Sequence, residues 1–83
     1  MTYSRRNKGV CSRGVSFDID ENGIVRNVAF EGGCHGNTQG VARLAEGMDA
    51  RDLVSRLKGI RCGMRSTSCP DQLAQAVEEA LNR

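Results

Sequence analysis

Val15-Ser16-Phe17-Asp18-Ile19-Asp20-Glu21-Asn22-Gly23-Ile24 is the stretch that decides the fold of this 83-residue chain. Apolar Val15, Phe17 and Ile19 alternate with polar Ser16 and Asp18, the period of a strand with one buried face. Asp20-Glu21-Asn22-Gly23 then carries turn chemistry, because Asn and Gly accept positive φ at little cost. Apolar residues resume at Ile24, Val28 and Phe30, which share one parity on a returning strand. The pattern predicts an antiparallel β-hairpin over about 14–31. Cys11 has the parity of Val15 and Phe17, so an extended chain would point it to the same face.

Downstream of the hairpin, Gly32-Gly33-Cys34-His35-Gly36-Asn37 breaks the strand. Thr38 is placed to cap a helix over about 38–47, with Val41, Leu44, Ala45 and Met48 at the i, i+3, i+4, i+7 positions. Asp49 opens a second helix over about 49–58, with Asp52 in its first turn and Leu53, Val54 and Leu57 as its apolar stripe; Gly59 serves as its C-terminal cap. A third helix over about 70–82 opens at Pro70, whose ring presets φ, and buries Leu73, Val77, Ala80 and Leu81. Upstream, residues 1–9 are polar and include the basic cluster Ser4-Arg5-Arg6-Asn7-Lys8, which reads as a flexible basic tail. Residues 10–83 form a single domain of the α+β class: a hairpin or small sheet, with room for one further short strand, packed against three helices.

Composition narrows the function classes. Twelve basic against ten acidic residues give a net charge of +2, short of a nucleic-acid footprint. No stretch approaches the roughly 20 apolar residues that span a membrane, and the N-terminus lacks the apolar core of a signal peptide. The expectation is a cytoplasmic protein with no nucleic-acid or membrane partner. Aromatics are only 4% of the residues, so the core is thin and a cross-link or metal would help it more than most.

That compartment changes how Cys11, Cys34, Cys62 and Cys69 are read. In a secreted chain of this size four cysteines suggest two disulfides; in a reducing compartment they suggest metal or catalysis. Their spacing, C-x22-C-x27-C-x6-C, matches no local zinc-finger pattern. Their places in the predicted elements say more. Cys34 lies in a Gly-rich bend one turn ahead of the first helix, and Cys69 at the N-cap of the third. Helix N-termini offer free N–H groups and a positive dipole end, which favour thiolate; Asp71 in the same first turn opposes this in part by charge repulsion. Each cysteine alone also fits a small buried hydrophobe. All four together, in loops and at element ends, fit one tetrahedral Zn²⁺ site or an iron–sulfur cluster held by four thiolates. His35 adjoins Cys34 and is read as supporting the site rather than ligating, since adjacent side chains rarely meet on one metal. Gly33, Gly36 and Asn37 are expected to surround the ligands in the same way, with the glycines serving as turn residues or letting the backbone approach a bound group.

Thr67-Ser68-Cys69-Pro70-Asp71, together with Gly33-Cys34-His35-Gly36-Asn37 and Gly9-Val10-Cys11, resembles the TSCPD domain family, which takes its name from the first of these motifs. The resemblance covers almost the whole chain and all four cysteines, as in small stand-alone four-cysteine members. Related domains stand at the C-terminus of adenosylcobalamin-dependent ribonucleotide reductases. The resemblance therefore implies a protein partner, with a ribonucleotide reductase first among candidates, and a link to deoxyribonucleotide supply for DNA synthesis. A reductase barrel does not fit in 83 residues, so the chain is not a complete enzyme of that kind.

A more distant similarity is to the U-type iron–sulfur cluster scaffold proteins, which carry three ligand cysteines where Cys11, Cys34 and Cys69 stand. Those scaffolds have an acidic residue two places after the first cysteine; here that position is Arg13, and Cys62 is added. An all-cysteine site should hold its metal firmly, which argues against handing a cluster on. The leading expectation is a metal-binding accessory domain, zinc slightly ahead of iron–sulfur, with Cys11, Cys34, Cys62 and Cys69 as ligands. The alternatives are a thiol redox protein using Cys62 and Cys69, which lacks a C-x-x-C motif, and cluster assembly or transfer.

Overall fold

Phe17, predicted to face the core, is covered from the side opposite its hairpin partner by a strand that the polar N-terminus supplies. The computed structural model describes residues 2–10, 12–33 and 35–82, and only the backbone of His35. Strand β1 (Thr2–Arg6) pairs antiparallel with β2 (Ser12–Ile19), Tyr3 opposite Phe17 and Arg5 opposite Val15. Strand β3 (Val25–Gly32) pairs with the other side of β2, giving a three-stranded sheet of order β1-β2-β3. The expected tail over 1–9 is therefore corrected: Tyr3 stacks on Phe17 with ring centroids 5.6 Å apart. Such a pair adds about 0.5–1.5 kcal/mol beyond area burial. Arg5 binds down onto the last helix instead of waving in solvent.

The hairpin forms as its turn residues predict. Asp20 Oδ1 accepts from the N–H groups of Asn22 (2.9 Å) and Ile24 (3.0 Å), and Gly23 takes φ +77°. The two strands do not keep a single parity. Asp18 faces Arg26 while Ser16 faces Ala29, so β3 carries one extra residue there, and Asn27 takes φ +54°. This bulge turns Val25 inward, fully buried, although it is of opposite parity to Val28 and Phe30. A second register shift lies between Ser12 and Gly14. Because of it Ser12, of opposite parity to Val15 and Phe17, is also buried, and the parity argument for Cys11 does not carry across the shift. Cys11 itself is outside the described residues.

Three helices follow: α1 (His35–Ala45), α2 (Ala50–Leu57) and α3 (Cys69–Leu81). Helix α3 lies against β1 and β2, α1 against β3, and α2 against α3. Leu53, Leu73, Ala74 and Val77 meet Val15, Phe17 and Val25 in one core. Asp49 caps α2, its carboxylate accepting from the N–H groups of Arg51 and Asp52, and Gly59 follows the C-cap residue Lys58 at φ +92°. Helix α1 starts three residues before the expected cap Thr38, directly after the sharp bend at Gly33, φ +86°. Its inner stripe is then Thr38 and Ala45, with Val41 and Ala42 half-buried. Leu44, expected in that stripe, lies about 120° round the helix from Thr38 and is 78% exposed. No helix among the described residues is long and apolar enough to cross a membrane.

Candidate functional site

Antiparallel pairing brings several element ends to one pole of the molecule. Arg6, the last residue of β1, pairs with Gly14 near the start of β2; Gly32, the last of β3, pairs with Ser12 at that start. Helix α1 leaves from the end of β3. Helix α3 also begins at this pole, because Cys69 Sγ lies 3.1 Å from Ser12 Oγ. Two helix N-termini and the loop between β1 and β2 thus share one region, where the positive ends of the helix dipoles favour negative charge.

Ser12 is the junction. It is 2% exposed and Cys69 4%. Ser12 Oγ accepts from Asn7 Nδ2 at 2.8 Å, and Asn7 is itself pinned by its N–H to the carbonyl of Arg13. Gly33 lies so close that a Cβ there would stand 2.9 Å from the Cβ and N of Ser12. Cys11 and Cys34 lie outside the described residues, but the residue after Cys11 touches Cys69, and the residue before Cys34 lies against Ser12 in turn. Gly36 and Asn37 are exposed in the first turn of α1, and a Cβ on Gly36 would meet open space.

Cys69 is the first residue of α3 and not its cap, as had been expected. The cap is Ser68, whose hydroxyl accepts from the Asp71 N–H (3.1 Å) and donates to the Ile60 carbonyl (2.7 Å). A hydroxyl suits this role better than a thiol because it is the stronger acceptor. Asp71 closes the turn. Its Oδ1 accepts from the Gly59 N–H at 2.7 Å; its Oδ2 accepts from the Thr67 hydroxyl and from Gln75 Nε2 at 2.9 Å. Burial alone would raise the Asp71 carboxyl pKa, but these three donors and the charge of Lys58 outweigh it and hold the group below its ordinary value. Its carboxylate thus ties the first turn of α3 to Gly59 and Thr67 in the loop before it.

Thr67 Oγ1 also accepts from Gln72 Nε2 (3.0 Å), and Gln72 Oε1 accepts from the Lys8 N–H (3.1 Å). Lys8, Gln72, Thr67, Asp71 and Gly59 therefore form one chain of bonds from the N-terminal segment through α3 to the end of α2. Composition gave no sign of Asn7, Ser12 or Gln72; only their neighbourhood to Cys11 and Cys69 hinted at them.

Cys62 is exposed in the loop between α2 and α3, and both it and Cys69 are free thiols. Its N–H bonds the Thr67 carbonyl (3.1 Å) and its carbonyl accepts from Arg65, whose guanidinium reaches the Gly9 carbonyl (3.4 Å). This loop thus sits over the Gly9-Val10 segment that leads to Cys11. Arg13, where U-type scaffolds have an acidic residue, is exposed, lies 3.8 Å from Glu31 and covers Gly32. Among the described residues, which hold two of the four cysteines and not the His35 side chain, no three of His, Cys, Asp and Glu gather.

A family model, the TSCPD domain, matches residues 1–81 of the chain. No curated protein and no solved structure shows a significant match.

Proposed function

We propose that this chain, which belongs to the TSCPD domain family, is a small metal-binding accessory domain whose ligands are Cys11, Cys34, Cys62 and Cys69. The observation that supports the reading most is that Ser12, the neighbour of Cys11, touches Cys69, while Gly33, the neighbour of Cys34, lies against Ser12. The Cys62 loop, tied to Thr67 and Gly9, approaches the same pole. The donor set is chemically apt: thiolates beside helix N-termini suit a soft cation, Zn²⁺ first and an iron–sulfur cluster second. A bound Zn²⁺ would cross-link the pole, supplying the staple that a thin core lacks.

Metal analysis and an absorption spectrum of protein purified without oxygen test this. One zinc per chain is the expected result; a brown chromophore with iron and sulfide would assign the cluster instead. A metal-free chain carrying a Cys62–Cys69 disulfide would overturn the reading in favour of thiol redox chemistry. The proposed working partner is a ribonucleotide reductase, on the family resemblance. A reductase assay whose turnover is unchanged by the added chain would remove that assignment.

A further inference from the structure

We propose that Ser12 is the positioning residue for Cys69 as a metal ligand, donating its hydroxyl proton to Sγ while Asn7 holds the hydroxyl oxygen. This rests on the thiolate-site reading above and adds to it a residue outside the ligand set.

A serine hydroxyl has one proton and two lone pairs. Asn7 Nδ2 donates into one lone pair of Ser12 Oγ at 2.8 Å. The other contact of that oxygen is Cys69 Sγ at 3.1 Å. Among the described residues Sγ is then the one acceptor within reach of the hydroxyl's single proton, and an O–H that donates to a ligand sulfur fixes the direction from which that sulfur binds. The Asn7 amide orientation supports this direction. Among the described residues Asn7 Oδ1 is buried without a partner, and the reverse orientation would leave an NH₂ group there instead, the costlier orphan. Ser12 and Cys69 are 2% and 4% exposed, so water does not compete for the bond. Gly33 lies close against the backbone and Cβ of Ser12. This is the arrangement by which partners outside the ligand shell orient a ligand and tune its donor strength.

The test uses the reduced, metal-free full chain titrated with Co²⁺ without oxygen. Wild type should develop a sulfur-to-cobalt charge-transfer band. In Ser12→Ala, loss of the donor raises the energy of the sulfur electrons, so the band should move to longer wavelength. Co²⁺ affinity should fall roughly 10- to 100-fold. Asn7→Ala, which leaves Ser12 in place, should shift the band the same way by less, and the double variant should shift no further than Ser12→Ala. Circular dichroism of each metal-free variant checks folding; should Ser12→Ala not fold, the Asn7→Ala shift decides. A wild-type band that neither substitution moves overturns the role of Ser12 and leaves the thiolate site standing. A wild type with no such band overturns the site reading and the inference with it.

Discussion

Gly33 and Asp71 are the two residues on which the geometry of the cysteine pole depends most directly. Gly33→Ala must place a Cβ 2.9 Å from Ser12 at φ +86°, a conformation that L side chains resist. The expected loss is about 1–3 kcal/mol of folding stability in urea titration; a loss below the error of the titration would show that the bend relaxes freely. Asp71→Asn keeps the shape but turns one acceptor into a donor facing the Thr67 hydroxyl, the Gln75 amide or the Gly59 N–H. It should cost about 1–3 kcal/mol. Asp71 also sets a pH dependence. Its folded pKa is below the unfolded value, so its stabilisation is complete above the unfolded value near 3.8 and is lost as pH falls through the folded one. Half-buried Asp18 and Asp20, held low by donors from Thr2 and from the Ile24 N–H respectively, act in the same direction. Urea midpoints from pH 6 down to pH 2 should therefore decline, less steeply in Asp71→Asn than in wild type; equal slopes would count against a charged Asp71 in the native state.

At the scale of elements, legibility followed periodicity. Val15, Phe17 and Ile19 announced β2, Asp20 to Gly23 its turn, Asp49 and Gly59 the ends of α2, and Pro70 the start of α3, because each rests on local chemistry. What was hidden depends on contacts distant in sequence. Nothing in Thr2–Arg6 signals a strand until Phe17 is there to stack on Tyr3 and α3 is there to receive Arg5. A bulge is likewise invisible to parity: with Asn27 at φ +54° the inward residue changes from Ile24 to Val25, and with the Ser12/Gly14 shift a serine beside a cysteine becomes a buried contact. Cys69 lies at a helix start, as its place before Pro70 suggests, while the expectation for Cys34 falls outside the described residues. The strand that escaped notice is also the most testable. Arg5 donates to the Gln72 carbonyl and the Gln75 side chain and pairs with Glu79 at 3.1 Å, its side chain 24% exposed. Arg5→Ala should cost about 1–2 kcal/mol through lost charge-assisted bonds and packing. Tyr3→Ala should cost more, about 2 kcal/mol, since it bares Phe17. If both substitutions leave the thermal midpoint where it was, β1 contributes nothing to the fold.

For the molecule as a whole, the thin core makes the proposed metal a matter of stability as well as function. If Cys69 ligates Zn²⁺, Cys69→Ala should lower stability by several kcal/mol, and a zinc chelator should lower the wild-type melting temperature while hardly altering that of the variant. A chelator without effect on wild type would contradict a structural ion. The contact between Ser12 and Cys69, and the clasp of Arg5 on α3, carry a further consequence for how the protein comes into being. They join segments 57 to 74 residues apart along the chain, from Ser12–Cys69 to Arg5–Glu79. During synthesis the hairpin emerges first with Phe17 uncovered, and no local order can close the pole until the last helix has left the ribosome. Closing such long loops costs more entropy than pairing neighbours, so a metal held at this pole would be bound only once α3 has docked on the sheet.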